Sequence, residues 1–93
     1  TEVENALTTH LAVLEVAVVA QKDNEGLVKP KAYVVLNSES NASTSLEDEL
    51  KEYVKQSLAP YKYPRWVEFV AELPKTATGK IQRFKLRDLV KTS

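Results

Sequence analysis

Hydrophobic residues recur at helical spacing at the start of the chain. Val3, Leu7 and Leu11 are each separated by one helical turn, whereas Glu2 and Glu4 fall between them. This period predicts an amphipathic helix whose two glutamates face away from the core. No capping residue precedes the helix, so we expect the sequence to begin inside a longer protein.

Two segments rich in β-branched residues follow this helix. Residues 13–20 are almost continuously apolar, which predicts a buried strand. Residues 31–36 predict a second strand after a polar connection that contains Asn24, Glu25 and Gly26. We therefore expect a hairpin whose loop is longer than the minimal turn.

A second helix is predicted after the polar residues 38–45. Thr44 lies three residues before Glu47, which is the spacing of a capping box at a helix N-terminus. Pro60 and Pro64 are expected to end the helix. Its apolar stripe consists of Leu46, Leu50, Tyr53 or Val54, and Leu58.

The last third of the chain predicts one more strand and one more helix. Residues 66–70 alternate Val67 and Phe69 with other positions, which indicates a strand, and Trp66 is expected in the core. The final helix starts at Arg83 and carries Leu86, Leu89 and Val90. With 93 residues there is room for one small domain. The predicted fold class is α+β, with a small three-stranded, mainly antiparallel sheet packed with helices.

Charge is distributed unevenly although the net charge is zero. Residues 1–60 hold 5 basic and 10 acidic side chains, whereas residues 61–93 hold 8 basic and 3 acidic ones. The second half therefore forms a cationic strip that would attract a phosphate-bearing ligand, although such a strip is also typical of a solvated face. It consists of Lys62, Arg65, Lys75, Lys80, Arg83, Lys85, Arg87 and Lys91.

Composition excludes several classes of site. The chain has no cysteine, which excludes a disulfide, a thiolate metal site and a cysteine nucleophile. His10 is the only histidine, and we interpret it as a polar residue at a helix end. No ligand pattern predicts a metal site. No apolar run has membrane-spanning length and no signal-peptide pattern is present, so we expect a cytoplasmic protein without a membrane partner.

The most informative segment is residues 74–83, which place a lysine on a small polar loop. Thr78-Gly79-Lys80 is similar to part of a phosphate-binding P-loop, but Pro74 and Ile81 stand where that motif needs a glycine and a Ser or Thr. The sequence therefore does not predict a loop whose backbone amides surround a phosphate. It predicts that one lysine side chain extends its ammonium group toward an anion.

Residues 74–83 resemble the C-terminal signature motif of the adenylate-forming superfamily, which includes acyl-CoA synthetases, peptide-synthetase adenylation domains and luciferases. Residues 1–7 resemble the helix that opens the family's C-terminal domain, and the two predicted strands resemble those that follow it. Within the superfamily, residues 61–65 and 81–87 are most similar to benzoate-CoA ligase and its aryl-CoA ligase relatives.

The resemblance implies a catalytic role for Lys80. In the family this lysine reaches into the active site of a larger N-terminal domain and contacts carboxylate and α-phosphate oxygens while the acid attacks ATP. A cation held against charge that grows in the transition state suits this step. Lys75, Thr78 and Gly79 are the candidate nucleotide-binding residues of the same loop. Lys75 and Arg83 could instead serve loop geometry or an interdomain salt bridge.

A second candidate site lies in residues 61–66, where aromatic residues alternate with cations. This composition can stack an adenine ring and pair with phosphates. It also suits a helix-to-strand connection whose aromatic side chains cover the edge of the core. By resemblance to aryl-CoA ligases, Tyr61, Tyr63 and Arg65 contact the nucleotide part of coenzyme A. Residues 21–27 contain no aromatic residue, although some relatives have one there.

The resemblance implies the mobile C-terminal domain of a two-domain ATP-dependent acid-CoA ligase, with benzoate or a similar aromatic acid as substrate. ATP, coenzyme A and Mg²⁺ are the implied cofactors, bound mainly by the N-terminal domain, which is the main partner. The domain rotates between adenylation and thioester formation, and the hinge precedes Thr1. Acetylation of the equivalent lysine silences several relatives, which implies a protein lysine acetyltransferase and deacetylase as further partners.

Two alternatives stay open at this point. The enzyme could act on a non-aromatic acid, because the acid pocket is not in this chain. The chain could also be a non-catalytic module whose cationic strip binds nucleic acid or another anion, with strong dependence on salt. The family resemblance implies no nucleic-acid partner.

Overall fold

The computed structural model describes residues 2–37, 41–57 and 63–92, with side chains up to residue 89. Predictions made for Leu58, Pro60, Tyr61 and Lys62 fall outside these residues, as do those for the Val90 and Lys91 side chains. The elements in chain order are α1 (Glu2–Thr8), β1 (Val13–Lys22), β2 (Val28–Leu36), α2 (Thr44–Ser57), β3 (Trp66–Phe69) and α3 (Arg83–Thr92).

The three strands form one sheet in the order β1-β2-β3. β1 and β2 pair antiparallel from Val13 opposite Leu36 to Lys22 opposite Val28. β3 adds to β2 in parallel over four residue pairs. The longer pairing is antiparallel, so the predicted α+β fold with a mainly antiparallel three-stranded sheet is confirmed.

The predicted hairpin between β1 and β2 is also confirmed, and both strands extend further into the connection than predicted. The Asp23 carboxylate accepts hydrogen bonds from the backbone amides of Glu25 and Leu27. Gly26 has a φ of 81°, a left-handed conformation that glycine adopts without strain. The loop is therefore closed by hydrogen bonds to the Asp23 side chain and by the left-handed backbone of Gly26.

The sheet separates two hydrophobic clusters. One cluster packs α1 and α2 against one face and includes Leu7, Leu50 and Val54, whereas the other includes Leu73 and Leu86 and packs α3 and its preceding segment against the opposite face. Successive side chains of a strand point to opposite faces, so β1 contributes to both clusters. The domain therefore has three layers, with the sheet in the middle.

The predicted orientation of Glu4 is wrong. Glu4 is buried, and its carboxylate accepts a hydrogen bond of 2.8 Å from the backbone amide of Val18. β1 is an edge strand, and an edge leaves backbone amides without a strand partner. Arg83, at the start of α3, reaches the same carboxylate with Nη2 2.5 Å from Oε1. Glu4 thus satisfies one amide of the edge strand and links the two outer layers.

The predicted membership of Leu11 in the helix stripe is also wrong, since this residue is 94% exposed. α1 ends at Thr8, and turn hydrogen bonds from Thr9 to Ala6 and from His10 to Leu7 follow. Leu11 therefore lies beyond the last helical turn and leaves the apolar face.

α2 forms as predicted, but its cap is one residue earlier than the sequence indicated. The amide of Leu46 donates to Oγ of Ser43 at 3.0 Å, and the amide of Glu47 donates to the Ser43 carbonyl. Ser43 therefore satisfies the first helix amides, which is the role of an N-cap. The capping box predicted from Thr44 is not formed.

The third strand and last helix are confirmed, with two differences in burial. Trp66 is only partly buried, and Leu89 is 55% exposed, whereas Leu86 is buried.

A buried charge accompanies the parallel strand pair. Lys31 is buried on β2, with Nζ 3.0 Å from Oε1 of Glu68 and 4.8 Å from the Tyr33 ring centroid. Burial by itself would lower the pKa of Lys31, but Glu68 and Tyr33 outweigh it and raise the pKa.

Candidate functional site

A short hairpin in residues 75–81 carries Lys80. Lys75 pairs antiparallel with Ile81, and the Gln82 amide donates to the Pro74 carbonyl at 2.8 Å. The Thr76 amide donates to the Lys80 carbonyl at 2.9 Å. These bonds close the hairpin directly beneath a three-residue tip, so the backbone of Lys80 belongs to a paired arm.

The tip is a turn followed by a glycine bulge. The Gly79 amide donates to the Thr76 carbonyl at 2.9 Å, and Gly79 has a φ of 88°. A three-residue hairpin loop commonly places a left-handed residue, usually glycine, at this position. The turn is therefore formed by interactions between neighbouring residues, namely the Gly79–Thr76 hydrogen bond and the left-handed backbone of Gly79.

The hydroxyl groups of the tip are used within it. Oγ1 of Thr76 accepts from the Lys80 amide at 3.1 Å and lies 3.0 Å from Oγ1 of Thr78. The amides of Gly79 and Lys80 are thus engaged inside the hairpin. This agrees with the sequence inference that the loop is not an amide cradle for phosphate.

The Lys80 side chain is exposed on the arm that directly follows this tip. Within the described parts of the chain, its ammonium has no carboxylate partner. The loop places an unneutralised cation on a backbone fixed by hydrogen bonds. Such a cation can meet a developing negative charge with little reorganisation.

The two neighbouring cations are paired within the domain. The Lys75 ammonium forms an ion pair with the Glu15 carboxylate on β1. Arg83 pairs with Glu4 on α1, and its Nε adds a second bond of 3.3 Å. The sequence left open a ligand contact, a role in loop geometry or an interdomain salt bridge for these residues, and the contacts observed are salt bridges within the domain.

The second candidate site is described in part, because Tyr61 falls outside the described residues. Tyr63 is half-buried and packs against the cluster formed with α1 and α2. Arg65 is exposed just before β3, with its guanidinium 5.4 Å from the Trp66 ring centroid. The Arg65 amide donates to the Pro30 carbonyl at 2.9 Å, which ties this segment to β2.

Lys55 is a residue at this second site that sequence reasoning missed. Its Nζ lies 4.3 Å from the Tyr63 ring centroid, a distance typical of a cation–π contact. Lys55 belongs to α2, and the sequence offered only its place on the outward face of that helix. The contact arises because Tyr63 lies beside the last turns of α2.

The structure separates the two candidate sites. The Lys80 hairpin follows Leu73 and contains Ile81, which both pack on the side of the sheet that α3 covers. Tyr63 packs on the side that α1 and α2 cover. Lys80, Lys75, Thr78 and Gly79 therefore form one group, and Tyr63 lies on the other side of the sheet.

A groove of about 790 Å³ opens beside the end of α1, away from the hairpin. It is lined by His10, Glu49 and Tyr53 among others, and none of its described lining residues is a lysine or an arginine. The backbone amide of Ala12 donates to Nδ1 of His10, and Nε2 lies 2.7 Å from Glu49 Oε2. His10 thus joins α1 to α2, which agrees with a polar residue at a helix end.

Neither a metal cluster nor a membrane span is found among the described residues. No three His, Cys, Asp or Glu side chains lie in an arrangement that could hold a metal ion in residues 2–37, 41–57 and 63–89. In the described part of the chain, no helix has both the length and the apolar character to cross a membrane.

Comparisons with known proteins agree with the fold and the motif. Residues 2–80 match the family model described as the AMP-binding enzyme C-terminal domain. A benzoate–CoA ligase of Thauera aromatica is 63% identical over 86 residues, which are 92% of this chain and 16% of that protein. A 4-hydroxybenzoate–CoA/benzoate–CoA ligase of Rhodopseudomonas palustris is 49% identical over 95% of this chain and 16% of its own length.

Solved structures give the same result. An acyl-CoA synthetase of Brucella canis superimposes with a TM-score of 0.93 at 45% identity, over 98% of this chain and 17% of that one. A benzoate CoA ligase of Burkholderia xenovorans gives a TM-score of 0.85 at 62% identity, over 92% and 17%. The chain therefore spans about a sixth of the length of these relatives. It belongs to the AMP-binding enzyme C-terminal domain family.

Proposed function

We propose that this chain is the mobile C-terminal domain of a two-domain, ATP-dependent acid-CoA ligase that acts on benzoate or a similar aromatic acid. The observation that carries the proposal is the exposed Lys80 ammonium, free of carboxylates within the described residues, next to the tip of a hydrogen-bonded hairpin. The aromatic substrate is supported by the benzoate ligases among the relatives.

In the first half-reaction, the acid's carboxylate attacks the α-phosphate of ATP, which releases pyrophosphate and forms an acyl-adenylate. Negative charge shifts onto the α-phosphate oxygens as this occurs. Lys80 would enter the active site of the N-terminal domain and stabilise that charge. A preorganised cation in a site that excludes water can lower the barrier by several kcal/mol, about 3 kcal/mol for one donor.

The remaining loop residues and the metal have subordinate roles in this proposal. Thr78 and Gly79 shape the tip and approach the nucleotide together with Lys80. We assign Mg²⁺ and most of the ATP pocket to the N-terminal domain. The described residues contain no three-ligand group for the metal.

In the second half-reaction, the thiol of coenzyme A attacks the acyl-adenylate and releases AMP. Tyr63, Arg65 and Tyr61 are the proposed contacts of the coenzyme A nucleotide. Because Tyr63 and the Lys80 hairpin lie on different sides of the sheet, one domain can present each in turn by rotating about a hinge. The separation supports the proposal that each side of the sheet serves one of the two half-reactions.

Lys80 is also the proposed target of a protein lysine acetyltransferase and a deacetylase. The proposed location of the protein is the cytoplasm. Acetylation would convert the ammonium to a neutral amide and remove the charge that the transition state needs. The exposure of the side chain supports access by such enzymes. Treating the protein with acetyl-CoA and an acetyltransferase, followed by mass spectrometry of the Lys80 peptide, tests this point; an unmodified peptide argues against it.

The experiment that tests the main proposal is acid-dependent ATP–pyrophosphate exchange in the full-length protein that contains this chain. Lys80→Ala should reduce exchange on benzoate by about a hundredfold or more, because it removes a transition-state contact. Thioester formation from supplied benzoyl-adenylate should persist. Lys85→Ala is the matched control, since Lys85 is an exposed lysine on α3 just beyond the hairpin and should leave both steps unchanged.

Other outcomes identify the alternatives. Unchanged exchange in Lys80→Ala would show that Lys80 is not the adenylation lysine. Exchange with non-aromatic acids, and not with benzoate or another aromatic acid, would assign a non-aromatic substrate. Retention on DNA that falls with salt, without exchange on any acid, would indicate a nucleic-acid-binding module. The intradomain pairing of Lys75 and Arg83 weighs against that module, because it removes two charges from the cationic strip.

A further inference from the structure

The first arm of the Lys80 hairpin is tied to the sheet by the ion pair between Lys75 and Glu15. We propose that Glu15 and Lys75 are positioning residues for Lys80, which orient the hairpin for the adenylation step without contacting the substrate. This inference rests on the proposed role of Lys80. It assigns Lys75 a different task from the direct nucleotide contact predicted from the sequence.

Glu15 is placed on the correct face for this task. Ala17 and Val19, at alternate positions of β1, belong to the cluster on the α3 side, and Glu15 shares their side by the strand alternation. The hairpin packs on that side through Ile81. The carboxylate therefore lies beneath the hairpin and not on the α1–α2 face.

The ion pair is close in sequence to the contacts that fix Lys80. Lys75 precedes Thr76, whose amide donates to the Lys80 carbonyl and whose hydroxyl accepts from the Lys80 amide. A movement of Lys75 is therefore passed through Thr76 to both backbone groups of Lys80. The side chain of Lys80 projects from that fixed backbone.

The two arms are anchored in different ways. The second arm packs Ile81 against the core and continues into α3, where Arg83 binds Glu4. The first arm leaves the core after the buried Leu73, and residues 75–80 are exposed. Within the described ranges, Glu15 is the one ion-pair partner that joins this exposed part of the first arm to the sheet.

The pair is suited to positioning because its loss should leave the fold intact. The Lys75 and Glu15 side chains are 36% and 30% exposed, and ion pairs of such exposure contribute little to stability. Catalysis responds more strongly, since a displacement of about 1 Å can cost about a hundredfold in rate. Substitutions here should therefore separate activity from stability.

The test uses the full-length protein with the single charge reversals Glu15→Lys and Lys75→Glu, the double reversal, and the milder Lys75→Met. Each single substitution should lower kcat of benzoate-dependent exchange about five- to twentyfold, with KM for ATP unchanged, because it misplaces Lys80. Thioester formation from supplied benzoyl-adenylate should stay at the wild-type rate. The double reversal should restore exchange to within about threefold, since it rebuilds the pair with opposite polarity.

A second ion pair provides the control. Lys51 and Glu47 lie 3.1 Å apart with side chains 21% and 34% exposed, and both belong to α2. The same charge reversals at these two positions should leave exchange within about twofold of wild type. Thermal unfolding of every variant checks that the comparison is made on folded protein.

Three results would overturn the proposal in distinguishable ways. If Lys75→Met and Glu15→Lys leave exchange unchanged while Lys80→Ala abolishes it, the ion pair does not position the hairpin and the role of Lys80 stands. If the double reversal is no more active than Lys75→Glu and Lys75→Met raises KM for ATP, Lys75 binds the nucleotide directly. If Lys80→Ala itself keeps full exchange, the proposed function fails and the positioning role fails with it.

Discussion

Gly79 has a backbone conformation that other residues rarely adopt, and it directly precedes Lys80. Its φ is 88°, and a Cβ added there would meet nothing within 4 Å. The cost of substitution therefore comes from the backbone and not from a clash. We expect Gly79→Ala to strain the turn by about 1 kcal/mol and to lower ATP–pyrophosphate exchange severalfold by displacing Lys80.

Gly26 provides the matched control for that substitution. It has a φ of 81° and equally open surroundings, but it lies in the loop between β1 and β2. Gly26→Ala should carry a similar stability cost and leave exchange unchanged. Equal loss of exchange in both variants would show that general destabilisation, and not the hairpin geometry, limits the reaction.

Single residues also show how much of the charge distribution the sequence alone can predict. The sequence identifies Lys75, Lys80 and Arg83 as three cations in one basic segment. The fold neutralises two of them with Glu15 and Glu4 and leaves Lys80 without a carboxylate among the described residues. The electrostatic character of the segment therefore depends on partners that are remote in sequence.

At the scale of elements, α2 illustrates a cap that the sequence placed one residue too late. Thr44 and Ser43 are adjacent hydroxyl residues, and only the backbone path decides which of them precedes the helix. Because Ser43 caps the Leu46 amide, we expect Ser43→Ala to lower the free energy of unfolding by about 1 kcal/mol. Chemical denaturation of the chain measures this change.

Thr44→Ala is the control for the cap, since Thr44 is inside the helix. It should change the free energy of unfolding by less than about 0.5 kcal/mol, as is usual for surface substitutions. A larger loss from Thr44→Ala than from Ser43→Ala would instead favour the capping box predicted from the sequence.

The element pairings differ in how well the sequence predicts them. The β1–β2 hairpin follows from two apolar runs joined by a glycine-containing polar loop, and it formed as expected. The parallel position of β3 beside β2 did not follow, since α2 and a long connection separate them. Glu4 likewise contacts Arg83 across 79 residues, a pairing for which the helical period gave no signal.

For the whole molecule, Tyr63 and the Lys80 hairpin lie on different sides of the sheet. A substitution at Tyr63 is therefore expected to affect thioester formation and not adenylation, the reverse of the effect expected at Lys80. If the Tyr63 side of the sheet receives coenzyme A, Tyr63→Ala should raise KM for coenzyme A about tenfold, because base–aromatic stacking contributes about 1–3 kcal/mol. Pyrophosphate exchange should be unchanged. Steady-state kinetics of both half-reactions in the full-length protein measure this difference.

Tyr53→Ala is the control for Tyr63→Ala. Tyr53 is also half-buried on the α1–α2 side, but its hydroxyl meets Thr9 and its ring contacts His10. Its removal should alter neither half-reaction specifically. If Tyr63→Ala depresses exchange as strongly as thioester formation, the two sides of the sheet do not serve separate steps.

The sequence by itself determined the elements, the fold class and the catalytic candidate, because hydrophobic period, turn chemistry and a contiguous motif are local properties of the chain. It also indicated the family, which the comparisons then confirmed. The tertiary structure decided which cations are neutralised, that Glu4 bonds an amide of the edge strand β1, and on which sides of the sheet Tyr63 and the Lys80 hairpin lie. These features depend on contacts between residues far apart in sequence, and such contacts are set by the path of the chain through the fold.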